Sequence, residues 1–171
     1  YRAMGAMAAG SEPFPWIERA ERALERGRTM DQYYWLQQLK GQSAWIQARW
    51  AQSRGGSGEA LYQASLRWLK QAAAEGKTAV TMEWIARVHF DRARSRHGRA
   101  DDIAEGLRAA RAALRMNPAS AEATLLSGQL LLLQAQRGGQ GPMQREGLAL
   151  LDRALGMNPS LRHRLDAERL P

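Results

Sequence analysis

The chain has 171 residues, no cysteine, and 25 basic residues against 17 acidic ones, a formal net charge of +8. That length makes one domain or one short array of repeats, and folding at this size buries roughly two-thirds of the accessible surface. The lack of cysteine excludes disulfides, thiolate catalysis and cysteine-built zinc sites, while the charge, arginine apart from Lys40, Lys70 and Lys77, favours acidic partners.

In chain order, residues 1–12 (YRAMGAMAAGSE) are small and patternless and start on Tyr1 rather than an initiator. They are expected to be a disordered linker or tag remnant. A leading helix follows over residues 13–27, within PWIERAERALERG, with Gly27 placed for a C-cap. The first helix pair is expected over about residues 30–76. It joins DQYYWLQQLKGQSAWIQARWAQSR to EALYQASLRWLKQAAAEG, with a glycine cluster at 55–58 between them and Gly76 as the second C-cap.

The second pair, 78–117, breaks at SRHGRADD, where Asp102 with Glu105 three residues on reads as a capping box. Its second helix carries Leu107, Ala110, Ala113 and Leu114, the small alanines letting neighbouring helices approach closely. The third pair, 119–157, opens with Leu125, Leu126, Leu130, Leu131 and Leu133 near helical spacing. RGGQGP ends that helix, and Pro142 suits the first turn of the next. Asn-Pro at 117–118 and 158–159 stops both second helices, because the residue before proline is pushed out of the α region. Residues 160–171 (SLRHRLDAERL and Pro171) form a short basic capping segment. No alternating strand pattern occurs, so the fold class is all-α. The apolar run at Leu130–Leu133 is far shorter than the ~20 residues of a membrane helix. With no signal peptide either, the expectation is a cytoplasmic protein without membrane insertion.

The chain also repeats itself. EGLRAARAALRMNP (105–118) returns as EGLALLDRALGMNP (146–159), an offset of 41 from Glu105 to Glu146. At that offset Leu66, Leu107 and Leu148 align, as do Ala72, Ala113 and Ala154. Trp84-Ile85 falls on Leu125-Leu126, Arg96 on Arg137 and Gly98 on Gly139. Farther back the offset is 42, with Ser53, Arg54 and Gly56 on Ser95, Arg96 and Gly98. Fixed-period self-similarity predicts a right-handed α-solenoid of antiparallel helix pairs.

Helix pairs with alanine and Asn-Pro closing the second helix and glycine in the next first helix resemble tetratricopeptide (TPR) repeats. With Ala121 as the first residue of a unit, Gly128 falls on the family's glycine position and Leu131 on its tyrosine. Ala113 falls on the second alanine, and Ala154 and Pro159 repeat the match. Gly106 replaces the first alanine, Thr124 the usual tryptophan, and Lys77 the proline between the first two pairs. The period exceeds the usual TPR length of about 34 residues, the extra residues lying in the turn inside each pair. This long form resembles the TPR arrays that follow the kinase domain in some bacterial serine/threonine protein kinases, with turns like HGRADD and arginine-rich tails like SLRHRLDAERL. The resemblance spans about residues 14–160 and implies a non-catalytic protein–protein interaction scaffold.

Kinase motifs themselves are absent: there is no Gly-rich loop after a strand, no Val-Ala-Ile-Lys, no His-Arg-Asp and no Asp-Phe-Gly. GGSG (55–58) lacks the P-loop lysine and reads as a turn. His89 beside Asp91, and His97 near Asp101 and Asp102, lack metal-ligand spacing and read as surface histidines. No cofactor or metal is expected, nor an enzyme. Carrying over the family's groove positions gives Leu125, Gln129 and Leu132 in one unit and Trp84, Val88 and Asp91 in the unit before. The slipped register gives Gln42, Ile46 and Arg49. These positions hold no lysine or asparagine of a carboxylate clamp, so the groove implied is mostly apolar, suited to a helix or hydrophobic segment. The six tryptophans, Trp16, Trp35, Trp45, Trp50, Trp68 and Trp84, are expected mainly in the core, with one or two facing the groove. The rival reading is nucleic-acid binding by RVHFDRARSRHGR (87–99), five arginines around Phe90. Cations also belong at a helix C-terminus, where they complement its dipole. A structural spacer or a self-associating surface is the third reading.

Overall fold

The computed structural model describes residues 5–7, 9–26, 33–76, 78–95, 98–138 and 141–167. Gly27, Lys77, Arg96, His97 and Gly139, singled out above, lie outside the described residues. The fold is all-helical, with no strand among the described residues. In chain order the helices are α1 (Phe14–Arg26), α2 (Tyr33–Ser53), α3 (Glu59–Glu75), α4 (Ala79–Arg94), α5 (Ala100–Met116), α6 (Ala121–Gly138), α7 (Gly141–Met157) and α8 (Leu161–Ala167). Residues 5–7, inside the expected disordered linker, are also helical.

Local chemistry sets the starts. Gly58 caps α3 at φ 63°, and a Cβ there would stand 2.6 Å from the Ala48 carbonyl oxygen, so only glycine fits this turn. Thr78 caps α4, its Oγ1 accepting from the Thr81 amide at 3.1 Å. Ser120 caps α6 in the same way, accepting from the Ala123 amide at 3.0 Å. The start of α5 departs from expectation. Asp102 is not its N-cap but the third residue in, where Oδ2 accepts from the Arg99 amide at 3.2 Å. Glu105 turns outward to Arg108 at 2.5 Å.

The stops share one device. The amides of Gly76, Asn117 and Asn158 donate to the carbonyls of Ala72, Ala113 and Ala154 at 2.9, 2.8 and 2.9 Å. All three alanines are fully buried. Asn117 and Asn158 add matching side-chain turns, each Oδ1 accepting from the amide two residues on at 3.2 Å.

Helices adjacent in sequence pack as pairs: α2 on α3, α4 on α5, and α6 on α7. The pairs meet through α3–α4 and α5–α6, and the first helices touch through α2–α4 and α4–α6. One core runs from Trp45 in α2 to Leu133 in α6, through Tyr62, Leu69, Val88, Ile103, Leu126 and Leu130. Each fully buried Leu here contributes about 1.5–3 kcal/mol of transfer free energy. A smaller cluster, Leu125, Ala154 and Leu161 with Leu151, Leu155 and Leu165, seats α8 on the last pair. The α6–α7 crossing is close because glycine meets glycine. A Cβ on Gly128 would stand 2.8 Å from the Gly147 carbonyl oxygen, and one on Gly147 would stand 3.0 Å from that of Gly128.

Candidate partner-binding face

The hydrogen bonds fix which residues of the three first helices are counterparts. The C-caps Gly76, Asn117 and Asn158 fall 41 residues apart, yet the N-caps Thr78 and Ser120 fall 42 apart. The turn Gly76–Thr78 is one residue shorter than Asn117–Ser120, so α4 is offset from α6 by one more residue than the second helices show. The counterparts of Leu125, Gln129 and Leu132 are therefore Glu83, Arg87 and Phe90, rather than Trp84, Val88 and Asp91. In α2 the anchor is Gly41, which lies against the Ser65 carbonyl and Leu69 as Gly128 lies against the Gly147 carbonyl and Leu151. Its alignment makes Gln38, Gln42 and Trp45 the counterparts there.

Trp45 is the hub of the α2–α4 contact and only 3 % exposed. Its Nε1 donates to Asp91 Oδ2 at 2.7 Å, and the Trp84 ring meets it edge-on at 5.2 Å. The Arg49 guanidinium lies 5.4 Å above the same indole, and Ile46 and Trp84 pack on the core that contains it. The structure thus gathers Arg49, Trp84 and Asp91 around one ring, while Ile46 packs on the same core and Gln42 is half-buried one turn before it. Val88 and Leu125 are fully buried core residues with no surface to offer a partner. Gln129 is buried, and Leu132 is half-buried against Gly147 of α7.

The tryptophans are less buried than expected. Trp45 alone is in the core; Trp16, Trp50, Trp68 and Trp84 are half-buried and Trp35 is 44 % exposed. Cations cover several of the wet rings: Arg19 over Trp16 at 5.2 Å, Lys40 over Trp68 at 5.1 Å and Arg54 over Trp50 at 5.8 Å. Such a ring keeps its apolar body packed and its face satisfied by charge.

Polar bonds tie the first helices together. Thr81 Oγ1 donates to Gln38 Oε1 at 2.6 Å, Ser120 Oγ to Glu83 Oε1 at 2.5 Å, and Arg87 Nη2 to Glu122 Oε1 at 2.7 Å. A second network crosses α3, α4 and α5. Arg92 holds Glu59 through two bonds, at 2.6 and 3.1 Å, and reaches Asp102 at 3.0 Å. His89 is buried, contrary to the surface reading, with Nδ1 3.0 Å from the same Asp102 oxygen. Burial pushes its pKa below the usual 6.5, against the upward pull of Asp102. The bonds to Glu59 hold the Arg92 pKa above its ordinary value despite partial burial. Burial, then the Asp91 charge, raises that of Tyr62, whose hydroxyl donates to Gln52 at 2.6 Å.

These bonds also dispose of much of the arginine-rich segment. Arg87 and Arg92 are committed to carboxylates, and Arg94 lies 5.3 Å above Phe90. Arg99 alone of the described four is exposed, 3.5 Å from Asp101. No trio of His, Asp or Glu able to hold a metal occurs among the described residues, nor a helix long and apolar enough to cross a membrane.

Sequence reasoning missed Trp45 as hub and Glu83 and Arg87 as first-helix ties. The signal was present in the short turn GKT at 76–78 against NPAS at 117–120. Comparison with protein families, curated proteins and solved structures gives no match. The functional reading rests on the residues and their geometry.

Proposed function

We propose that the chain is a TPR-like α-solenoid acting as a non-catalytic scaffold, and that it forms the C-terminal region of a bacterial serine/threonine protein kinase. It offers the face of its first helices to a peptide, a helix or a neighbouring domain. The observation that carries the scaffold reading is the cap built three times on one plan, Gly76 on Ala72, Asn117 on Ala113 and Asn158 on Ala154. One unit rebuilt at a fixed step and packed on its neighbours is the principle of a solenoid, whose long surfaces serve binding rather than chemistry. The kinase placement rests on the long period, the HGRADD turn and the arginine-rich tail. On the α2–α4 face, Arg49 and Trp84 against Trp45, with Gln42 and Ile46 half-buried on α2, combine aromatic anchors with one cation. That chemistry suits an amphipathic helix carrying acidic residues along one flank.

The test is affinity capture from nuclease-treated lysate with wild-type protein and an Ile46→Glu/Trp84→Gln variant, its helicity checked by circular dichroism. A protein retained by the wild type at high salt and lost by the folded variant is the expected result. Equal capture by both would refute the face. Ligand that is nucleic acid, vanishing steeply with salt and indifferent to the variant, would return the function to the arginines.

A further inference from the structure

The second helices α3, α5 and α7 share two buried positions, Ser65, Gly106 and Gly147 at one and Ala72, Ala113 and Ala154 at the other, but not the outer ones. At 41-residue steps Leu66 and Leu107 are buried, whereas their counterpart Leu148 on α7 is 49 % exposed against 8 % for Leu107. The ridge beside this position is basic on the first two helices. It carries Arg67 and Lys70 on α3, and Arg108, Arg111 and Arg115 on α5, all exposed. On α7 the same places hold Ala149, Asp152 and Gly156. Three arginines have thus become a methyl group, a carboxylate and a bare backbone, on the one second helix whose ridge leucine stands in water.

Helical periodicity puts Gly141, Arg145, Leu148, Ala149, Asp152 and Gly156 on one side of α7, and all six are exposed. The set is self-complementary about the midpoint between Leu148 and Ala149. Residues equidistant from that point pair glycine with glycine (Gly141 and Gly156), cation with anion (Arg145 and Asp152), and leucine with alanine (Leu148 and Ala149). An isologous two-fold contact requires each residue to meet a fitting partner on the other copy. Two α7 helices packed antiparallel satisfy this at every position of the stripe. The glycines let the backbones close at both ends, each Leu148 covers an Ala149, and two symmetric ion pairs flank the centre. The same dyad on α5 would instead set Arg108 against Leu107, Arg111 against Ala104 and Arg115 against Ala100, with no anion on the stripe to meet a cation.

We infer that the exposed stripe of α7 is a homodimerisation surface, and that its occupant is α7 of a second copy of this chain in antiparallel alignment. This surface is separate from the first-helix face, so one protein binds a partner and a second copy at once.

Sedimentation velocity across a wide range of protein concentration tests it. The wild type is expected to shift from one-chain to two-chain mass as concentration rises. Ala149→Arg, which gives α7 the residue α5 has there, removes the dimer. Arg145→Asp alone and Asp152→Arg alone each remove it through like-charge contacts, and the Arg145→Asp/Asp152→Arg double reversal restores it. All these residues are exposed, so far-ultraviolet circular dichroism should match the wild type in each variant. One-chain mass at every concentration overturns the inference. A dimer that survives Ala149→Arg, or a double reversal that fails to restore it, does so as well.

Discussion

Replacing Trp45 by Phe isolates the bond that joins α2 to α4. The substitution keeps an aromatic ring in the core and removes the Nε1 donor that reaches Asp91 at 2.7 Å. A hydrogen bond to a charged group contributes about 1.5–3 kcal/mol net. Losing part of the edge contact with Trp84 at 5.2 Å, and the volume of the larger ring, adds about 1 kcal/mol. The sum is about 2.5–4 kcal/mol. For a chain of this length each kcal/mol moves the melting temperature by roughly 2–4 °C, so a fall of roughly 5–16 °C is expected. Urea titration followed by far-ultraviolet circular dichroism measures the free energy. Trp84→Phe serves as the control, because Trp84 is half-buried and its ring survives in smaller form; it should cost about 1 kcal/mol or less. A cycle with Asp91→Asn then reads the coupling, expected at about 1 kcal/mol or more. A Trp45→Phe cost below about 0.5 kcal/mol, or strictly additive effects in the cycle, would refute the assignment of Trp45 as hub.

His89 predicts a pH dependence. Burial holds its folded pKa below the unfolded value of 6.5, so the unfolded chain takes up the proton first as pH falls. Its contribution to stability is full above 6.5, declines as pH drops through that value, and levels off once His89 is protonated in the fold. His89→Gln should flatten the urea midpoint across this window, ahead of any loss from carboxylate protonation. Gly128→Ala gains about 1 kcal/mol in helix propensity but drives a methyl to 2.8 Å from the Gly147 carbonyl oxygen. Overpacking of about 1–3 kcal/mol should dominate, and a melting temperature above wild type would show that the crossing is loose. Arg87→Ala strips the buried partner from Glu122 and should cost about 1–3 kcal/mol by urea titration. Arg99→Ala, at an exposed ion pair, should change stability by about 0.5 kcal/mol or less in the same assay.

The helices were readable because their boundaries are written in single residues: the glycine cluster at 55–58, Gly76, Pro142 and the two Asn-Pro pairs each act within one turn of chain. The pairing of helices followed from short connections between them. The candidate face was harder because it depends on register, and register is cumulative. One residue fewer between Gly76 and Thr78 than between Asn117 and Ser120 moved every expected position on α4 by one place. That put Val88, a core residue, where Arg87 stands. His89 escaped because its partner Asp102 lies on the next helix and had been given a different duty, as N-cap. The tryptophans misled through size: a large ring need not be deep when an arginine or lysine can cover it.

The uneven depth of the last pair governs how the molecule comes apart. Among the described residues of α7 only Gly147 and Ala154 are buried, and α8 is fastened through Leu161 and Leu165. The centre, by contrast, is cross-braced by Glu59, Arg92, Asp102 and His89 across three helices. Amide protons of α7 and α8 therefore exchange through local opening while those of α4 and α5 wait for global unfolding. The C-terminal end opens before the centre, leaving behind a folded block that still holds the Trp45 cluster.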